Sequence, residues 1–317
     1  MNYLITGGAG FIGSNIVEEL LARGESVRVL DNFSTGKREN IQPFLDKIEL
    51  IEGDVRSYHI VREAVDGVEV ILHQAALPSV PRSIRDPITT NEVNVGGTLN
   101  ILDAAKDAKV KRVVFASSSS VYGDNPELPK HEGMMPNPLS PYAVSKLAGE
   151  NYCRVFSRIY GLHTVALRYF NVFGPRQDPN SQYSAVIPKF IKAIKENKQP
   201  IIYGDGTQSR DFTYIANVIE ANILAATVDC ETPLTTNCAT HGQTTLNELV
   251  SKINNLSGKN IKPIYDTPRS GEIKHSFASI DKIRNVLGYN IVTDFDKGLI
   301  ETYEYYLRIL DGENKYE

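Results

Sequence analysis

Nowhere in the 317 residues do Lys and Arg gather into a basic stripe, and the formal net charge is −4. Nucleic acid and anionic membrane surfaces therefore find no electrostatic footprint and are not expected partners. No apolar stretch is long enough to span a bilayer, and the opening MNYLITGG enters a strand pattern directly, without the basic and apolar regions of a secretory leader. The expected location is the cytoplasm. Cysteine is scarce: Cys153, Cys230 and Cys238 form no paired motif and read as small buried hydrophobes in a reducing compartment. The six histidines are scattered without metal-ligand spacing, so no metal is expected.

What is present is an alternation. NYLIT, SVRVLD, IELIEGD, VEVILHQAA and RVVFASS read as five strands. Ile12, Ile16, Leu20 and Leu21, then SYHIVREAVDG and TLNILDAAKDA, carry helical spacing between them. Strand, helix, strand, repeated, predicts an α/β chain with a Rossmann-type doubly wound parallel sheet. After about residue 170 the pattern loosens into loops rich in Pro, Gly and Asn, such as GPRQDPNSQYS, IIYGDGTQSRDF and DTPRSGEIKHS. The expectation is a nucleotide-binding domain over 1–170 and a smaller mixed α/β substrate domain over 171–317, with segments near 213–240 free to pack back on the first.

LITGGAGFIGSNIVEEL places Gly7, Gly10 and Gly13 at the first strand-to-helix turn. Glycine permits the tight turn and lets a phosphate approach the backbone, where a helix N-terminus supplies N–H donors. Asp31 ends the next strand, placed to accept hydrogen bonds from ribose hydroxyls and to repel a 2′-phosphate, which favours NAD over NADP. Lys37 and Arg38 lie close enough to oppose that preference. Asp54, after the third strand, reads either as an adenine contact or as a turn residue or helix cap.

SPYAVSK sets Tyr142 and Lys146 four apart, on one face if the segment is helical. A phenol ionises at about pH 10, too high for a neutral-pH base. A neighbouring ammonium and a positive nicotinamide ring both favour the phenolate, so the pair reads as a general base. Taken alone, Tyr-x-x-x-Lys is commonly helix surface; its position after the fifth strand gives it weight.

TGGAGFIG, HQAA, NVGGT, SSSSVYG, SPYAVSK, LRYFNVFGP, GDGTQSRDF and RSGEIKHSFA together resemble the extended short-chain dehydrogenase/reductase family, and within it nucleotide-sugar 4-epimerases, over nearly the whole chain. The resemblance implies a catalytic set of Ser118, Tyr142 and Lys146. It assigns Phe11, Ile12, Asn32, Val55, Gln74, Ala75, Ala76, Asn94 and Tyr169 to NAD, with the glycines, Asp31, Asp54, Tyr142 and Lys146. It assigns Ser79, Ser118, Ser119, Asn171, Val186, Tyr203, Arg210, Arg269, Glu272 and Ser276 to a UDP-sugar. Arg210 and Arg269 match positions that grip the diphosphate, and Val186 with Ile201–Tyr203 would line the uridine. Glu272 stands where Asp is usual, and Ala216-Asn217 replaces a more typical acidic pair. A homodimer formed through helices around residues 95–107 and 142–158 is the family expectation.

The serine run Ser117–Ser120 discriminates among reactions. Family members that dehydrate or decarboxylate their sugars carry acids just before VYG; here Ser119 and Ser120 take those places. A hydroxyl is a poor acid or base near neutrality and a good hydrogen-bond partner. Elimination is therefore disfavoured and C4 epimerisation expected, through a 4-keto sugar. Ser117 and Ser120 also read as turn packing. Ser276 stands where glucose/galactose-restricted members resemble one another in a large Tyr, which opens room for an N-acetyl group; its other reading is a helix cap. The expected substrates are UDP-N-acetylglucosamine and UDP-N-acetylgalactosamine, with the plain UDP-sugars, a reductase releasing NADH and a non-catalytic NAD-sensing module as alternatives.

Overall fold

The computed structural model describes residues 1–179, 186–268 and 274–312. Its centre is a parallel sheet of seven strands: β1 (Asn2–Thr6), β2 (Ser26–Asp31), β3 (Ile48–Glu52), β4 (Val70–His73), β5 (Arg112–Ser118), β6 (His163–Tyr169) and β7 (Leu234–Cys238), in the order β7-β6-β5-β4-β1-β2-β3. The order reverses between β1 and β4, and at such a switch point the loops leaving neighbouring strands diverge and open a crevice. The fourth strand is shorter than its apolar run suggested, because Gln74–Ala76 already belong to the loop that lines this crevice.

Both faces of the sheet are covered, which explains why its inner strands are apolar throughout rather than alternating. Tyr3, Ile5, Val29, Leu72, Val114 and Leu167 point to one face. There they meet Ile16, Val17 and Leu20 of α1 (Phe11–Ala22) and, further along the chain, the helix Ile215–Thr227. Leu4, Leu30, Ile71, Val113, Phe115 and Ala166 point the other way. They pack beneath α2 (Tyr58–Val65), α3 (Gly97–Asp107) and α4 (Pro141–Tyr160).

The chain returns to this sheet after its excursion: β7 pairs with β6 from Leu234↔Val165 to Cys238↔Tyr169. The remainder carries α5 (Val186–Lys195), α6 (Ile215–Thr227), α7 (Leu246–Ser257) and α8 (Phe295–Leu310). Between them lie strands of two or three residues, among which Ser209–Arg210 sits between Thr244–Thr245 and His275–Ser276. Asn217 in α6 has a defined role: its Oδ1 accepts from the N–H groups of Val292 and Thr293, and its Nδ2 donates to the Thr293 carbonyl. An Asp could not make that last bond, so the amide, rather than an acid, fits this loop.

Cys153 and Cys238 are buried and Cys230 is half-buried, all three as free thiols. Among the described residues no helix is long and apolar enough to cross a membrane, and no cluster of His, Cys, Asp or Glu could hold a metal ion.

Candidate active site

The first turn forms a cradle. Gly7 has φ +70°, and a Cβ there would stand 2.8 Å from the Ala75 nitrogen. A Cβ on Gly13 would stand 2.2 Å from the Gly7 carbonyl oxygen, so only glycine lets α1 begin this close to β1. Gly10 precedes the helix, and Phe11 and Ile12 open it, half-buried. The N-terminus of α1 thus faces the switch point with its donors.

Asp31, at the end of β2, accepts from the Ala9 and Phe33 N–H groups at 2.9 and 2.8 Å, which ties the cradle to the next strand. Burial holds its carboxyl above the usual carboxylate range. The two cations that could have favoured a 2′-phosphate are engaged elsewhere: Lys37 pairs with Asp178 at 3.1 Å, and Arg38 pairs with Glu52 at 2.5 Å while lying over the Phe33 ring. These features fit NAD. Asp54 accepts from Asn32 and from the Arg56 guanidinium, chiefly the latter, and its carboxyl falls to about 2. Val55 beside it is buried.

The loop after β4 is fixed by a network that sequence reasoning missed. His73 is fully buried; its Nδ1 lies 2.7 Å from Thr6 Oγ1 and its Nε2 3.0 Å from Thr98 Oγ1. The Thr98 hydroxyl donates to the Asn94 carbonyl, so its oxygen receives from His73, and the ring is the neutral Nε2–H tautomer. Burial, and then the charge of Lys146, push the imidazole down to about 3. Thr6 Oγ1 also accepts the Ala75 N–H. Asn94, in a π-helical turn leading into α3, uses its amide on Leu77 and Ser145. Gln74 and Tyr169 meet through the buried Asn222. The side chains of Asn94, Gln74 and Tyr169 thus bind one another's loops, while Ala75 and Ala76 line the crevice with backbone and methyl groups. Ser79, at φ +97°, caps the helix Val80–Arg85.

At the far side of the crevice α4 starts with Ser140 as N-cap and Pro141 in the first turn. It then runs antiparallel to β5. Lys146 donates to the Ala116 carbonyl at 2.8 Å, and Gly149 leaves room for the Phe115 ring, 2.3 Å from where a Cβ would stand. This close approach sets Tyr142 beside Ser118, whose hydroxyl favours the ionised phenol. Burial lowers Lys146 to about 8, and burial also raises the Tyr142 phenol, with the Ser118 hydroxyl opposing it. Lys146 supplies only one of the two positive charges that the sequence reading called on. Its ammonium is 5.8 Å from the Tyr142 ring centroid and directed at a backbone carbonyl. A second positive charge, or a better donor, is needed to ionise Tyr142 at neutral pH.

The four serines separate. Ser117 is buried and donates to Glu150, which forks onto Arg168 at 2.8 and 2.7 Å. Ser118, Ser119 and Ser120 are half-buried where β5 ends. Ser117 is tied through Glu150 to Arg168, and Ser120 meets Ser118 through both its N–H and its hydroxyl, at 3.2 and 2.9 Å.

Opposite this edge, Asn171, Val186 and Arg210 line one cavity of about 210 Å³ with Phe173 and Phe212. Ser276 pairs in register with Arg210 across adjacent strands. It lies five positions ahead of the helix Asp281–Leu287, so it is not that helix's cap. Asp211, also missed by sequence reasoning, is buried behind Arg210 and holds Thr240 and Ala278 in place. Tyr203 lines a separate cavity of about 770 Å³ with Gln208, Tyr265 and Lys274. Arg269 and Glu272 lie outside the described residues.

Residues 3–239 match the profile of the NAD dependent epimerase/dehydratase family. A UDP-N-acetylglucosamine 4-epimerase from Methanobrevibacter ruminantium, solved with UDP-N-acetylmuramic acid, is 41% identical with a TM-score of 0.93, covering 97% of this chain and 98% of that one. A UDP-glucuronic acid 4-epimerase from Bacillus cereus, solved with UDP-glucuronic acid and NAD, is 31% identical with a TM-score of 0.89, covering 98% and 100%. A UDP-glucose 4-epimerase of Mycolicibacterium smegmatis is 36% identical over 310 residues, 96% of this chain and 98% of that protein.

Proposed function

The chain belongs to the NAD-dependent epimerase/dehydratase family, and from that premise we propose that it interconverts UDP-N-acetylglucosamine and UDP-N-acetylgalactosamine at C4. One observation carries the reaction type: the Tyr142 phenol, set beside Ser118 and with the Lys146 ammonium 5.8 Å from its ring, lies next to a run of four serines, Ser117–Ser120, in which no acid stands. Tyr142 takes the proton from the sugar 4-hydroxyl, and Ser118 holds that oxygen. Bound NAD would supply the hydride acceptor for C4 and, once reduced, a hydride donor for the ketone. Tyr142 then gives the proton back. Without an acid at Ser119 or Ser120, the keto sugar loses neither water nor carbon dioxide.

NAD is held by the Gly7–Gly10–Gly13 cradle with Phe11 and Ile12, by Asp31 at the ribose, by Asn32, Asp54 and Val55 at the adenine, and by the loop from Gln74 to Ala76. Asn94 and Tyr169 act by fixing that loop. The substrate UDP is anchored by Arg210 and Asn171, with Val186 at the uridine; Arg suits a diphosphate because its planar fork can bond two oxygens. Ser79 and Ser119 face the sugar. Arg269 and Glu272 belong to the substrate side by family position, whereas Tyr203, expected beside Val186, lines the other cavity. The small Ser276, in register with Arg210, supports an acetamido group at the 2-position. The exposed stripe Val144, Val155 and Ile159 on α4 supports a homodimer through that helix.

Purified protein given UDP-N-acetylglucosamine, with no NAD added, should form UDP-N-acetylgalactosamine without accumulating NADH. Conversion of UDP-glucose alone would move the reading to a UDP-glucose 4-epimerase; NADH accumulation would make the protein a dehydrogenase.

A further inference from the structure

Arg210 and Ser276 sit on a small sheet whose strands, Thr244–Thr245, Ser209–Arg210 and His275–Ser276, are two residues long. Within it the Arg210 guanidinium is aimed by backbone. Its Nη1 donates to the carbonyls of Ser209 and Lys274, at 2.9 and 3.1 Å, and the Lys274 carbonyl also takes the Ser209 N–H at 3.0 Å. Strands this short do not fix their own place in the molecule, so the direction of the guanidinium depends on what ties the small sheet to the large one.

Asp211 makes that tie. It follows Arg210 and is fully buried. Its N–H donates to the Ser276 carbonyl at 2.9 Å, inside the small sheet. Its carboxylate reaches out of it. One oxygen accepts the N–H and the hydroxyl of Thr240 at 2.9 and 2.8 Å, and the other accepts the Ala278 N–H at 3.3 Å. Thr240 stands two residues beyond β7, the outermost strand of the large sheet. These partners are all donors, and a carboxylate accepts from all of them at once. An amide of the same shape cannot: with its oxygen kept on Thr240, its NH₂ would meet the Ala278 N–H, donor against donor.

We propose that Asp211 is a positioning residue for substrate binding, whose carboxylate seats the Arg210–Ser276 strand pair on the end of β7 and so aims the Arg210 guanidinium at the diphosphate. The inference rests on the reading of Arg210 as the diphosphate anchor. Asp211 acts through Arg210 and its neighbours, and itself faces Thr240 and Ala278. Residues 277–279 have separate holds. Lys130 gives its N–H to the Phe277 carbonyl and takes the Ser279 N–H, at 2.8 and 2.9 Å, and the Ala278 carbonyl accepts from His241 Nδ1 at 2.6 Å. Loss of the carboxylate therefore loosens the small sheet and leaves the chain beyond it in place.

The test is calorimetric titration of NAD-loaded protein with UDP, arranged as a double-mutant cycle. Asp211→Asn should weaken UDP binding about three- to tenfold, as follows from an anchor held less firmly. Added to Arg210→Ala, it should cost nothing further, because the post then has no guanidinium to aim. A merely structural role would give the same loss in both backgrounds. Thr240→Val, which removes one donor to the carboxylate and keeps the N–H, should weaken UDP about twofold and also lose its effect in Arg210→Ala; should Asp211→Asn not fold, this cycle decides. Full UDP affinity in Asp211→Asn, or losses that add to that of Arg210→Ala, overturns the proposal. Unchanged UDP affinity in Arg210→Ala alone is a different failure: it removes Arg210 as the anchor and takes the proposal with it.

Discussion

In the half of the crevice proposed for the nucleotide, most of what is offered is backbone: the glycine cradle, the α1 N-terminus and the Gln74–Ala76 loop. The polar side chains nearby are tied to protein partners, as with His73, Asn94 and the Gln74–Asn222–Tyr169 group. In the half proposed for the sugar the arrangement is inverted. Asn171, Arg210 and Ser276 present side chains from strands two residues long and from loops, with Asp211 as the buried post behind them. A long sheet can place backbone accurately by itself, so its loops require only small residues and internal hydrogen bonds. Short strands cannot, so recognition there falls to individual side chains, and one substitution can change which sugar fits.

Four substitutions test this contrast. The largest effect is expected at the junction of the two halves: Tyr142→Phe should lower turnover about 10²–10⁴-fold while calorimetry shows UDP-sugar binding little changed. Next, Arg210→Ala should weaken UDP-sugar binding about 10- to 100-fold through loss of a charge-assisted fork, with bound NAD retained. Loss of NAD in that variant would mean the halves are not separable. Ser276→Tyr should cut activity on the N-acetylated sugar about tenfold or more and spare UDP-glucose; equal use of both would place the selectivity elsewhere.

The smallest effect concerns the nucleotide half alone. His73 is held neutral, with its native pKa near 3 against about 6.5 in the unfolded chain. Protons then bind the unfolded state preferentially once the pH falls below about 6.5, so the stabilisation present above that pH is progressively lost on the way to 3. Between pH 7 and 5 this amounts to about 1–2 kcal/mol. Thermal melts of His73→Gln should show a lower midpoint overall but a shallower decline over that interval. An unchanged slope would mean that the ring is not the group that titrates.

The legibility of the sequence follows the same division. The first five strands and the Tyr142–Lys146 helix could be read because apolar runs, glycines and helical spacing are local signals. β7 was legible only as a segment near 213–240 free to pack back, since LTTNC is mostly polar; it pairs with β6, and Asn237 accepts from the Tyr122 hydroxyl and donates to the Lys130 carbonyl, partners more than a hundred residues away. The Glu150–Arg168 fork beneath Ser117 and the His73 network join residues separated by 18 to 67 positions, and no periodicity marks them. Arg210, Asn171 and Val186 were found by family likeness rather than by pattern, and the structure brings them to one cavity. Asn217 shows the reverse: a departure from the family pattern that sequence could not explain, answered by three hydrogen bonds to one loop.

The placement of β7 bears on how the molecule can be taken apart. A fragment ending near residue 170 would carry every glycine of the cradle and the whole helix Pro141–Tyr160. It would also bare the hydrogen-bonding rim of β6 from Val165 to Tyr169 and the apolar flank that α6 shelters, an open invitation to strand-to-strand aggregation. Excision of a free-standing dinucleotide module should therefore yield insoluble material unless Ile215–Cys238 is grafted back onto it.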